Sequence, residues 1–232
     1  MKLAKILGTA LFATALLATG GIWFAGANAA STPTHPAHLD SASDESAVAK
    51  RYAFKADMRV LWEDHIVWTR MVIVDIVAGT PDTNAALTRL LQNQVDIGNA
   101  IKPFYIKPFY GDAAGRALTG LLREHILIAG RLLTAAKTGD NPAFATAKID
   151  WYANGHDIAA FLSTANPRWD LASMDEAMKT HLDTTLAEAV ARLTGDWNAD
   201  VVAYDRVETH ILHMSDLLSD GIIAQFPSAF AH

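Results

Sequence analysis

Apolar residues recur at spacings of three and four along almost the whole chain, a period that fits α-helix and not strand. Met58, Leu61, Trp62, His65, Trp68, Thr69, Val72, Ile73 and Ile76 mark one face of a long first helix over about 47–78. Gly79-Thr80-Pro81-Asp82 stops it. A second helix is predicted from Asp82 or Thr83 to just before Pro103, carried by Leu87, Leu90, Leu91, Val95 and Ile97. A third covers about 112–137, with Leu118, Leu121, Leu122, His125, Ile128, Ala129 and Leu132 on one side and Thr138-Gly139-Asp140 at its end. Asn141 as N-cap and Pro142 at the first helical position open a fourth. It runs to about Thr164 and is expected to bury Ile149, Tyr152, Ile158, Phe161 and Leu162. Ser173, with Glu176 three residues on, reads as the capping box of a fifth helix that ends at Gly195. The sixth spans about 198–225, with Tyr204, Val207, Ile211, Met214 and Leu218 aligned. The tandem pentapeptide Ile-Lys-Pro-Phe-Tyr at 101–105 and 106–110 reads as a loop, where a duplication costs little closure entropy. No segment alternates convincingly with period two. The expected fold is all-α: an antiparallel bundle of about six helices with a four-helix-bundle core and short connections.

The N-terminus reads as an export signal. Lys2 and Lys5 precede an apolar run from Ile6 to Leu17, Thr19-Gly20-Gly21 breaks the run, and Ala27-Asn28-Ala29 offers an A-x-A cleavage site. The expected organisation is a signal peptide over 1–29, a flexible leader of small and polar residues over 30–45, and one bundle domain over 46–232. A periplasmic or secreted location follows. The alternative is an N-terminal membrane anchor, because Ile22-Trp23-Phe24-Ala25 prolongs the apolar stretch. No later stretch offers the roughly 18 uninterrupted apolar residues that a membrane span needs.

Charge and composition narrow the chemistry. The formal charge is −6, and losing Lys2 and Lys5 with the signal would make it −8. An acidic chain without a run of Lys or Arg argues against nucleic acid as a partner. Cysteine is absent. That excludes a disulfide, a thiolate nucleophile, Cys-ligated zinc, an Fe–S cluster and C-x-x-C-H haem attachment. Hydrophobic residues make up 51% of the chain, so core packing has to supply the stability.

Four helices each carry a histidine near mid-length: His65, His125, His181 and His210. His65 and His125 lie in apolar stripes, His181 follows Met174 and Met178 turn by turn, and His210 precedes Met214. Mid-helix positions of an antiparallel bundle reach similar heights, and such folds place metals and cofactors there. Neutral imidazole suits copper, zinc or iron, and Met178 and Met214 add possible thioether ligands for Cu(I). A non-covalent haem, held by a His and a Met across the bundle, is the other cofactor these residue types admit. Nothing in the sequence favours it over a bare ion. Glu63 and Glu124 precede His65 and His125 and are candidate supporting partners from neighbouring helices. Tyr204, Asp205 and Glu208 share a helix face at spacings of three and four and are expected to form a polar network. Glu-x-x-His pairs and His-Glu-x-x-His are both absent, which argues against ferritin-like di-iron and zincin sites.

Leu61-Trp62-Glu63-Asp64-His65, Trp68-Thr69-Arg70, Glu124-His125, Trp151-Tyr152, Ile158-Ala159-Ala160-Phe161-Leu162, Asn166-Pro167 and Tyr204-Asp205 together resemble a family of small exported or surface bacterial all-helical proteins. That family has no assigned function and no functional residues to carry over. Some members are labelled glycosyltransferases, but this sequence lacks the α/β pattern such an activity implies. The doubled Ile-Lys-Pro-Phe-Tyr departs from the single copy in the family pattern. The leading expectation is an exported bundle that binds a transition metal through histidines from separate helices, for sequestration rather than catalysis. The alternatives are a metal-free module for a small ligand or partner, and an enzyme with a His or Tyr204–Asp205–Glu208 acid–base site. Oligomeric state is open.

Overall fold

The computed structural model of the protein describes residues 38–101, 103–104, 107–108 and 110–231. The expected signal peptide and the first part of the expected leader lie outside these. Six helices account for nearly all of the rest: α1 (His38–Ala78), α2 (Thr83–Ala100), α3 (Gly111–Thr138), α4 (Asn141–Ala165), α5 (Leu171–Thr194) and α6 (Trp197–Gln225). A 3-10 turn, Pro227–Phe230, follows. Each helix packs on the next, and α1 meets both α2 and α6, which closes the bundle. The fold is an all-α antiparallel bundle. None of its helices is long and apolar enough, among the described residues, to cross a membrane.

Helix ends follow from local chemistry, with some shifts from expectation. Helix α1 begins at His38, inside the stretch expected to be a flexible leader. Asp140 rather than Asn141 caps α4, its carboxylate accepting from Ala143 N at 3.1 Å. Asp170 rather than Ser173 caps α5 and accepts from Ser173 N. In both cases a carboxylate stands just upstream of the expected cap. It completes the same turn and adds charge favourable to the helix dipole. Gly139 and Gly195 end α3 and α5 at φ 73°, a left-handed conformation that side chains resist. The Ile-Lys-Pro-Phe-Tyr repeat does not stay a simple loop. Its arms β1 (Pro103–Phe104) and β2 (Lys107–Pro108) pair antiparallel, Pro103 opposite Pro108.

The core runs through all six helices, from Phe54, Met58 and Trp62 on α1 to Ile211, Leu218 and Ile222 on α6. One expectation fails on α4, where Ile149 is exposed and Trp151 is buried. Residues 149 and 158 are nine apart, which is half a rotation at 100° per residue, so they cannot share a face. Trp151 and Ile158 are seven apart and do. The bundle also tolerates little change at two glycines. A Cβ on Gly98 would lie 2.8 Å from Gly115 O, and one on Gly221 would lie 1.9 Å from Trp169 Nε1. Both let neighbouring elements approach more closely than alanine allows.

Candidate functional site

Three of the four mid-helix histidines meet in the interior, and the fourth, His210, stacks on one of them, His181. His65 on α1, His125 on α3 and His181 on α5 are each 3–4% exposed. His181 is the hub. Its ring centroid lies 5.7 Å from that of His65, 6.1 Å from His125 and 6.5 Å from His210. His125 and His210 lie nearly parallel to it, at 28° and 18°. The placement follows from helical spacing. Met174, Met178, His181, Thr185 and Glu188 repeat at four, three, four and three, so all five line the buried stripe of α5.

Hydrogen bonds decide what each ring has left to offer. The indole N–H of Trp151 can only donate, and it donates to His125 Nε2 at 3.0 Å. His125 therefore carries its proton on Nδ1 and donates it to Asn154 Oδ1 at 2.8 Å. Asn154 Nδ2 in turn donates to Leu121 O. Both nitrogens of His125 are committed, and its ring is fixed by α4. Gln94 Nε2 lies 3.2 Å from His65 Nδ1 and also reaches Leu90 O and Asn93 Oδ1, three partners for two hydrogens, so this contact does not fix the tautomer of His65. His210, half-buried, donates from Nε2 to Ala177 O at 2.9 Å. His181 differs: among the described residues its buried Nδ1 has no hydrogen-bond partner. A buried polar atom left unpaired costs about 1–3 kcal/mol.

The layer is held neutral. Burial pushes His65 down to about 3, and the nearby His125 adds to that. Burial pushes His125 down to about 4. His181 falls well below the ordinary imidazole value through burial and then through His65, His125 and His210. Charging one ring in an apolar interior beside three others is strongly opposed. Neutral imidazole is the form that ligates metals.

Two small cavities flank the layer, and His65, His125 and His181 line both. One, of about 30 Å³, is also lined by Met58, Trp62, Met178 and Met214. The other, of about 50 Å³, is lined by Thr69, Thr185 and Leu186 among others. Among the described residues no carboxylate lines either. Thr185 Oγ1 and Trp62 Nε1 are buried without partners, as His181 Nδ1 is. The other sequence candidates do not join the layer. Glu63, Glu124, Asp205 and Glu208 are exposed, and Tyr204 is half-buried. The expected Tyr204–Asp205–Glu208 network does not form in the interior. The buried stripe of α6 runs through Asp200, Ala203, Val207 and Ile211 instead. Among the described residues no set of three His, Asp, Glu or Cys side chains is already arranged to hold a metal ion.

A second polar cluster, not anticipated, lies two turns along α5. Arg70 donates to Glu188 Oε1 at 2.7 Å and to both oxygens of Asp200 at 3.0 Å, and Arg192 donates to Asp200 Oδ2 at 3.0 Å. Glu188 and Asp200 are each 1% exposed. The Arg70 guanidinium also lies 4.6 Å from the centre of the Tyr204 ring. The signal was present in the sequence. Glu188 and Asp200 are carboxylates on the buried stripes of α5 and α6, and each needs a buried partner.

No protein-family model matches the chain, and neither does any curated protein or solved structure.

Proposed function

We propose that the bundle binds one soft transition-metal ion, Cu(I), between the histidine layer and the methionines beside it. His65 and His181 supply imidazole nitrogen, and Met178 and Met214 supply thioether sulfur. The observation that carries this reading is the unpaired, buried His181 Nδ1 in a layer whose adjoining cavity is lined by methionines and, among the described residues, by no carboxylate. Magnitudes separate the candidate ligands. A drug-sized molecule needs a pocket of roughly 300–1,000 Å³. The two cavities are far smaller, at about 30 and 50 Å³, which also counts against a haem macrocycle. They are the right size for a single ion or a few waters. Charge separates the ions. The Born cost of burying an ion grows with the square of its charge, so an apolar site without a carboxylate penalises Zn²⁺ and Fe²⁺ far more than Cu⁺. Thioether ligands select Cu(I) in the same sense. His125 and His210 serve as positioning residues that hold the His181 ring between them. An export signal would place this site outside the cytoplasm, where storage or sequestration of the ion suits a closed interior better than catalysis does.

The purified protein is expected to retain one equivalent of copper after anaerobic incubation with Cu(I) and desalting, and much less zinc or iron after parallel treatment. Elemental mass spectrometry measures this. A His65→Ala/His181→Ala variant with a native circular dichroism spectrum should retain none. Equal retention by that variant, or none by the wild type, refutes the reading.

A further inference from the structure

The larger inner cavity adjoins the surface. A groove of about 550 Å³ lies over α1, α2, α3 and the start of α4. Four residues line both this groove and the inner cavity that touches His65, His125 and His181: Val72, Ile76, Ile126 and Gly130. They form the partition between outside and inside. Three are branched apolar side chains, and the fourth has none.

Gly130 lies in the interior of α3, where glycine is disfavoured because it loses the most backbone freedom. At Gly98 and Gly221 a close approach explains the residue. At Gly130 it does not, since an added Cβ would meet nothing within 4 Å. The space is left open instead of being filled by a neighbour. Gly130 O accepts from Thr134 Oγ1 at 2.8 Å, and Thr134 lines the groove. Polar groups thus stand beside the gap in an apolar wall, where they can ease the passage of an ion that is shedding water.

We infer that Gly130 forms a passage joining the surface groove to the histidine layer, and that the metal ion loads and leaves through it. This rests on the metal reading above. A side chain at position 130 would narrow the neck without touching any proposed ligand. It would slow loading and release together and leave the affinity unchanged.

The test uses Gly130→Leu, with Gly120→Leu as control. Gly120 lies in the same helix with equally open space, but it lines neither the groove nor the inner cavities. Leucine favours helix more than glycine, so neither change threatens folding. Stopped-flow transfer of Cu(I) from its bicinchoninate complex should slow by about tenfold or more in Gly130→Leu, as for a gated site. The dissociation constant should stay within about twofold, and Gly120→Leu should behave as wild type. Unchanged loading in Gly130→Leu, with wild type binding copper, overturns the passage and leaves the metal site standing. Xenon exchange followed by NMR supplies a readout without metal. If wild type binds no copper, slowed xenon exchange in Gly130→Leu upholds the passage while the metal reading falls, and unchanged exchange overturns both.

Discussion

Replacing Arg70 by methionine is expected to destabilise the protein by about 3–5 kcal/mol, the usual cost of removing one partner from a buried ion pair. Arg70 ties α1 to Glu188 on α5 and Asp200 on α6, positions 118 and 130 residues away in the chain. Its side chain is only 22% exposed, and those of its partners are 1–2% exposed. Without it, Arg192 still answers Asp200, but Glu188 is left buried next to a second carboxylate. Burial already pushes Glu188 up to about 7 against the pull of Arg70. Urea unfolding at neutral pH measures the loss. Adding Glu188→Gln to Arg70→Met should restore part of it, because a neutral amide costs less to bury than a lone charge. A loss below about 1 kcal/mol, the range of solvated surface pairs, would mean that water reaches this cluster.

Acid should unfold the protein from the histidine layer outward. His65 and His125 have folded values near 3 and 4, against an ordinary value of 6.5, and His181 shifts the same way. Below about 6.5 the unfolded chain therefore takes up protons that the folded chain refuses, and stability falls with pH. It is fully present above that value and drains away toward pH 4. His65 and His125 each contribute on the order of 3 kcal/mol to that loss. Glu188 acts in the opposite sense. Its raised value means the folded state binds a proton first, so acidification from neutral pH toward its ordinary value of 4.5 favours folding. One carboxyl offsets about one histidine, and three histidines outweigh it. The urea midpoint should drop steeply between pH 6.5 and 4, and His125→Gln should make that drop shallower. A midpoint that is flat or rises across this range would mean that the rings accept protons in the folded state. The same protonation competes with metal, so copper should be released over the acid range as well.

The bundle was readable from helical spacing, because six amphipathic segments joined by short connections leave few other ways to bury their stripes. The convergence of His65, His125 and His181 was readable for the same reason: mid-helix positions of antiparallel helices meet. What spacing cannot show is which ring atoms are already spoken for. Trp151 and Asn154 on α4 occupy both nitrogens of His125, and nothing in the local sequence of α3 announces it. Glu63 and Glu124 follow a simpler rule. Each precedes its histidine by two residues or one, which turns it about 200° or 100° away on the helix, and both are exposed. The Arg70 cluster needed the tertiary fold, since only packing brings α1, α5 and α6 together at that level. Ile149 is apolar yet exposed, because it lies nine positions and so half a rotation from buried Ile158.

X-ray absorption at the copper edge of the loaded protein tests the central claim most directly. An interior site built from imidazole and thioether predicts a Cu(I) edge with both nitrogen and sulfur scattering, the sulfur signal vanishing in Met178→Leu/Met214→Leu. Copper surrounded only by oxygen and nitrogen, or failure of the protein to retain copper at all, would contradict it.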